Sequence, residues 1–317
     1  MADMFFTQGW ECMYIRVLGS AAGGGVPQWN CRCRVCTLAR TQPKLVRPRL
    51  HASLGVSADG DRWVLCNAGP DVQQQINRFN PLLPQRAIRG TGISAVVLNG
   101  ADLDEVLGLF QLREDAPLRV YGTARVHRAL KEELRLLPTL AAYCGVNWQG
   151  IELGHDIELR GADSAPTSLR CRAFPVAGGP PPYAGHRDEG MPEDTVGLLL
   201  TDQTNGARLA YVPSCGEITP GLIALLQSVD CVFFDGTLWH DEEISAIGVS
   251  GRTGRSMKHL PLAGPNGTLE QLGSLRNRRL LTHLNNTNPI LIEDSPERAL
   301  VEAAGWQIAE DGMELKL

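Results

Sequence analysis

Aromatic residues are scarce in this 317-residue chain, at 6%, and there is no surplus of positive charge, since 30 Lys and Arg face 35 Asp and Glu. A formal charge of −5 offers no bulk attraction to a phosphate backbone or an anionic membrane, so nucleic acid and membrane are not expected partners. Long apolar runs are missing as well: nothing approaches the roughly 20 residues that a membrane helix needs. Residues 1–12 hold no Lys or Arg and no apolar stretch of signal-peptide length, so a cytoplasmic location is expected. There is no G-x-S-x-G elbow, no G-x-x-x-x-G-K-[ST] loop and no dinucleotide fingerprint. Serine hydrolases, nucleotide hydrolases and nicotinamide enzymes therefore lack support.

What the chain does have is glycine (34) and proline (20), which fit many tight turns between short strands, on a soluble background of 43% apolar and 21% charged residues. A strand pattern opens at Met13, so residues 1–12 read as a tail and 13–317 as one domain. Strands are expected at 54–57, 63–66, 93–98, 118–121, 151–153, 169–174, 196–201, 208–212, 229–234 and 279–282. Helices are expected at 72–79, 104–113, 124–136 and 220–227, with a late one started by Ser295-Pro296. Asp59-Gly60 signals a hairpin. Strands followed by helices in both halves fit an α+β sandwich of two sheets with helices outside, four layers deep, with an open Rossmann-like sheet as the competitor.

The nine cysteines are odd in number and have no export signal, which favours free thiols or metal ligands over a disulfide scaffold. Cys31, Cys33 and Cys36 form a C-x-C-x-x-C cluster in a Gly/Pro-flanked loop. Three thiolates this close can converge on one tetrahedral ion, and zinc is the natural occupant. A distant fourth protein ligand would make the site structural, and water would leave it open. The competing reading is three unrelated small residues in a turn.

A second signal is that polar residues recur where apolar strands end, the place where ligands gather in layered sheets. Asp104 and Glu105 follow one strand, Asp235 a second and His283 a third. Together they make a carboxylate-rich O/N set suited to Fe(II), Mn(II) or Zn(II). Asp102 and Asp104 could equally cap the following helix, with Glu105 favouring its positive end. Arg252 and Arg255 could hold a substrate carboxylate in a Gly-rich stretch that leads to His259. His186 sits in an irregular polar loop that could line a cleft, whereas His51 has no company in the sequence to argue from.

The strings Leu18-Gly19-Ser20-Ala21-Ala22-Gly23-Gly24-Gly25, Pro27-Gln28-Trp29-Asn30-Cys31-Arg32-Cys33, Asp235-Gly236-Thr237-Leu238-Trp239 and His283-Leu284-Asn285-Asn286-Thr287-Asn288-Pro289 resemble the pyrroloquinoline quinone biosynthesis protein B family of the metallo-β-lactamase superfamily. Further matching blocks extend the resemblance from Met13 to the C-terminus. It implies the metallo-β-lactamase αβ/βα sandwich and the iron- and O₂-dependent hydroxylation of the tyrosine ring of a Glu-Tyr-derived precursor. The alternative it leaves is a non-catalytic carrier or transport protein for the quinone or its precursor. The superfamily's H-x-H-x-D-H motif falls on Gly100 to Glu105. This chain has Asp104-Glu105 where the family usually keeps Asp-His, a change of ligand charge and redox character that makes a binuclear hydrolase site unexpected.

By the same resemblance the later superfamily ligands fall on Asp235 and His283, and the cysteine loop holds a structural zinc with His283 or Asn286 as fourth ligand. Fe(II) is the implied occupant of the second site. Tyr183 or Trp239 would stack on the substrate ring, and His186, Arg252, Arg255 and His259 would complete its pocket. The expected partners are a small-molecule or dipeptide precursor or the quinone itself, with a homodimer among the open assembly states.

Overall fold

The computed structural model describes residues 12–85, 87–114, 116–185 and 190–317. Fourteen strands run in chain order: β1 (Tyr14–Gly19), β2 (Ser53–Ser57), β3 (Trp63–Cys66), β4 (Ile93–Val97), β5 (Leu118–Gly122), β6 (Val146–Gly150), β7 (Asp156–Arg160), β8 (Pro166–Pro175), β9 (Val196–Asp202), β10 (Arg208–Val212), β11 (Cys231–Asp235), β12 (Arg278–Thr282), β13 (Gln307–Ile308) and β14 (Glu314–Lys316). They form two seven-stranded sheets, β14-β1-β2-β3-β4-β5-β6 and β13-β12-β11-β10-β9-β8-β7. In each sheet an antiparallel half leads into a parallel one, β3 to β6 in the first and β10 to β13 in the second.

Residue alternation explains the layering, because successive side chains of a strand point to opposite faces. In β11, Cys231 and Phe233 enter the core between the sheets, while Val232 and Phe234 enter the outer core under helices. In β3, Val64 and Cys66 face inward, and Trp63 and Leu65 face the helices of the other side. The near-continuous apolar runs are those of strands covered on both faces. Helices Arg34–Thr41, Pro220–Gln227 and Pro296–Ala303 cover the second sheet, and Val72–Asn77 and Leu136–Ala141 lie over the first.

Asp59 Oδ1 accepts from the amides of Asp61 and Arg62 in the β2–β3 hairpin, and Ser295 caps its helix through Arg298 N. Several local readings are corrected. The helix expected at 124–136 runs Ala124–Arg128, widens to a π-helical turn over Ala129–Glu133, breaks at Arg135 (φ 58°) and restarts at Leu136. Pro138 is the physical reason: inside a continuous helix it would clash with the preceding turn and lack an amide, whereas the restart places it in a first turn.

The helix expected at 104–113 is α-helical only over Leu103–Val106 and tightens to 3₁₀ over Leu107–Leu112, with Gly108 N donating instead to Ala68 O at 2.8 Å. The strand expected at 151–153 is replaced by β6, which Gly145 (φ 76°) turns into the sheet edge. The short C-terminal strands β13 and β14 were too brief to show a pattern. Residues 1–11 of the expected tail lie outside the described residues.

Candidate metal centre and thiol cluster

The C-terminal ends of β3, β4, β11 and β12 all deliver their following loops to one end of the sandwich. Backbone bonds such as Val196 N to Asn99 O (2.8 Å) tie the two sheets together there. Asp235 ends β11, and His283 follows β12 in a left-handed conformation (φ 57°), a strain of about 1 kcal/mol or more for a non-glycine residue.

Asp235 is 0% exposed, and both its oxygens are occupied. Oδ1 accepts Thr237 N (3.0 Å) and Thr237 Oγ1 (2.6 Å), and Oδ2 accepts Cys215 N (2.9 Å) and pairs with His259 Nδ1 (2.7 Å). Burial works to raise this carboxyl, but His259, His283 and Thr237 together hold it below the usual aspartate range. Burial would conversely lower His259, and Asp235 more than offsets it, so that imidazole is raised.

Thr237 is the hub. Its Oγ1 lies 2.9 Å from His283 Nδ1 and 3.1 Å from His259 Nδ1 as well as against Asp235. A hydroxyl has one proton, and the shortest of these contacts gives it to Asp235. Oγ1 then accepts the Nδ1 proton of His283, which leaves His283 Nε2 with a lone pair. That Nε2 faces Asp104 Oδ2 at 3.3 Å. In the neutral ring these are two acceptors aimed at one another, which a proton or a metal ion between them would join. Ligand atoms about 2.1 Å from a shared ion and about 90° apart are separated by roughly 3 Å, so the spacing fits.

Asp235, His259 and His283 also offer ligand atoms that all lie within 4.8 Å of one another, although Asp235 could join an ion only by giving up one of its present donors. Burial tends to raise Asp104, but the contact with His283 and the nearby His283 and His51 imidazoles, when protonated, hold it below the ordinary value.

Glu105 departs from the expected ligand set. Its buried carboxyl accepts Asp102 N at 3.3 Å and completes the capping box of Leu103–Val106. It lies where a Cβ on Gly100 would come within 2.4 Å of its Oε2. Burial, with Asp102 and Asp104 nearby, pushes its pKa well above the usual glutamate value. Asp102 is the N-cap of that helix, as its place in the sequence suggested; burial and Asp104 raise it to about 6, and His283 and His259 pull the other way.

The thiol cluster is a separate site. Cys31, Cys33 and Cys36 bring their sulfurs within 4.8 Å of one another. Cys33 is not simply in a loop; it is the N-cap of Arg34–Thr41, and that helix carries Cys36 inward. Amides of Gln28, Cys33 and Cys36 donate to sulfurs of Cys36, Cys31 and Cys33, each at 3.4 Å, the kind of contact that stabilises thiolates. Burial drives the Cys33 thiol up to about 12, with both neighbouring sulfurs adding to it, whereas at Cys31 hydrogen bonds from Cys33, Cys36 and Asn286 outweigh burial and lower the thiol, so Cys33 is the costly one to ionise without a cation.

Asn286 completes the shell: its carbonyl oxygen lies 3.3 Å from Cys33 Sγ and its Nδ2 3.2 Å from Cys36 Sγ. Of the two expected fourth ligands, then, Asn286 meets the thiols, and His283 faces the carboxylate centre. One short segment serves both sites. It is fastened to the β11 end by Asn288 Nδ2 donating to Gly236 O at 2.8 Å.

The substrate residues distribute unevenly. His259 belongs with Asp235 rather than in an outlying substrate loop. Trp239, expected to stack on a ring, is 6% exposed and packed in the outer core. Tyr183 donates to Ala101 O at 2.6 Å, beside the Asp102 turn. Arg252 and Arg255 are exposed on the segment leading to His259. His186 lies outside the described residues. Thr237 and His51 escaped the sequence reading; Thr237 could have been suspected from its place two residues after Asp235, whereas His51 had no such signal.

A sandwich of this kind, with its site at the strand ends, defines a class: residues 62–284 match the beta-lactamase superfamily domain. The chain is 45% identical over 309 residues to coenzyme PQQ synthesis protein B of Pseudomonas entomophila, covering 96% of this chain and all of that one. It is 44% identical over 308 residues to the protein of the same name in Pseudomonas putida, with the same coverage. Zn(2+)-bound PqqB from Methylobacterium extorquens superposes with a TM-score of 0.87 at 38% identity, over 96% of this chain and all of the other. A diphosphatase of the PhnP family, at 20% identity and a TM-score of 0.66 over 96% of this chain and 97% of the other, shares the fold. The chain belongs to the coenzyme PQQ synthesis protein B family. Among the described residues, no helix is long and apolar enough to cross a membrane.

Proposed function

We propose that this chain acts in coenzyme PQQ synthesis as a metal-dependent oxygenase that hydroxylates the tyrosine ring of a Glu-Tyr-derived precursor. The observation that carries the reading is the Asp104–His283 pair, a carboxylate oxygen and an imidazole nitrogen 3.3 Å apart with His259 beside them. A mononuclear O/N set of this kind suits Fe(II), which when bound supplies activation of O₂. The pathway comes from the names of the relatives.

The chain's own residues have separable tasks. Thr237, against His283 Nδ1, would leave Nε2 free to ligate an ion, and Asp235 would do the same for His259 by engaging its Nδ1. Asp104 supplies negative charge. Arg252 and Arg255, exposed on the segment leading to His259, would receive the substrate's carboxylates. Glu105, engaged by Asp102 N, keeps the Asp104 turn in place. At the other site Cys31, Cys33, Cys36 and Asn286 would hold a structural zinc, which would fix the segment carrying His283.

The test is incubation of anaerobically purified protein with a Glu-Tyr dipeptide and ¹⁸O₂, with zinc and iron counted by elemental mass spectrometry. Label in the ring, dependent on iron and lost in Asp104→Ala, is the expected result. Saturable binding of the quinone with unchanged ligand mass and no label would replace the oxygenase with a carrier.

A further inference from the structure

His51 follows the glycine loop through a pairing that its sequence neighbours do not reveal. Its Nδ1 lies 2.8 Å from Asp71 Oδ2, an oxygen that also accepts His51 N at 3.0 Å. Gln75 Nε2 braces the pair by donating to His51 O (2.8 Å) and Asp71 Oδ1 (3.3 Å). Gly24 N donates to His51 Nε2 at 3.2 Å, which makes Nε2 the acceptor and places the ring proton on Nδ1, toward Asp71. The imidazole is thus held on one side by a carboxylate and holds a backbone amide on the other.

That amide belongs to the loop facing the metal centre. Gly24 and Gly25 have φ of 99° and 69°, a left-handed backbone that side-chain-bearing residues rarely adopt. A Cβ on Gly23 would sit 3.6 Å from Asp104 Cγ, so the loop backbone runs directly against the Asp104 carboxylate. Gly23 and Gly24 are exposed, and whatever approaches Asp104 from solvent meets them.

We propose that His51, oriented by Asp71, is a positioning residue that pins the Gly23–Gly24 backbone as the wall against which substrate is seated beside Asp104. The role rests on the oxygenase reading of this centre. Three variants test it: His51→Ala, which loses both contacts; His51→Gln, whose amide can donate to Asp71 and accept from Gly24; and Asp71→Ala, which frees the ring. The loop is followed by hydrogen exchange of the peptide spanning residues 22–26, and catalysis by KM and kcat for the Glu-Tyr dipeptide at full iron occupancy.

The expected result is at least about 10-fold faster Gly24 exchange in His51→Ala and Asp71→Ala, with KM raised about 10-fold and kcat little changed. His51→Gln should restore both. Unchanged exchange in His51→Ala overturns the clamp. Faster exchange with unchanged KM overturns the role in seating substrate. Failure of the wild-type protein to turn over the dipeptide would instead strike the oxygenase reading, and the exchange data would still decide whether His51 holds the loop.

Discussion

Replacing Thr237 by valine keeps the side-chain shape and removes one oxygen from the centre of the ligand cluster. Asp235 Oδ1 keeps only Thr237 N as donor, and His283 Nδ1 loses its acceptor. A hydrogen bond to a charged group contributes about 1.5–3 kcal/mol, and a buried polar atom left unpaired costs about 1–3 kcal/mol. Because the two losses share one hydroxyl, and the pocket can relax, a destabilisation of about 2–4 kcal/mol follows for the metal-free protein. At roughly 2 °C per kcal/mol for a domain of this size, the melting temperature in chelator should fall by about 4–8 °C. Metal affinity should fall about 10- to 100-fold, as for loss of a group that orients a ligating histidine. Differential scanning fluorimetry in chelator and iron titration by competition with a chromophoric chelator read the two effects, and Thr237→Ser, which retains the hydroxyl, should recover most of each. A Thr237→Val protein with wild-type melting and wild-type iron affinity would refute the tautomer argument and remove Thr237 from the centre.

Other consequences can be checked alongside. Because Glu105 accepts Asp102 N, a bond that a glutamine oxygen can keep, and its carboxyl is shifted toward the neutral form, Glu105→Gln should leave iron content and stability at pH 7 within error, and lost iron would return Glu105 to the ligand set. Cys33→Ser should lose zinc and thermal stability together and also lower iron occupancy, because Asn286 and His283 share one segment; wild-type iron in a zinc-free variant would uncouple the two sites. The pH profile of the metal-free protein should carry the sign of the Asp235–His259 pair. Asp235 is lowered, so its contribution is present above the unfolded aspartate value near pH 4 and is lost as pH falls toward the folded value. His259 is raised, so its contribution is full below about pH 6.5 and fades as pH rises through the folded value. In urea titrations Asp235→Asn should flatten both limbs, and an unchanged profile would mean that the pair adds nothing to stability.

Local features made much of this protein legible from its sequence. Strands buried on both faces are apolar without interruption, so most of the strands showed themselves, and with helices between them they implied a layered sandwich. The cysteine spacing is short enough that chain connectivity alone brings three sulfurs near one point, and the acidic strand ends at Asp104 and Asp235 follow from where β4 and β11 stop. Where a single residue overrode a pattern, as Pro138 did for the expected helix, the cause was present in the sequence but its effect depended on which turn it would occupy.

The tertiary structure decided what depends on direction and distant approach. Glu105 and Asp104 are adjacent in the chain, yet one caps a helix and the other faces His283, because neighbouring helical positions point to different sides. Asn286 and His283, three residues apart, serve different centres because the chain leaves β12 and enters a turn between them. His259 reaches Asp235 across 24 positions and His51 reaches Asp71 across 20, pairings that no local signal announces because they exist only once the sheets have closed. Residue types and strand ends therefore named the chemistry, and packing of the loops at one end of the sandwich selected which side chains carry it.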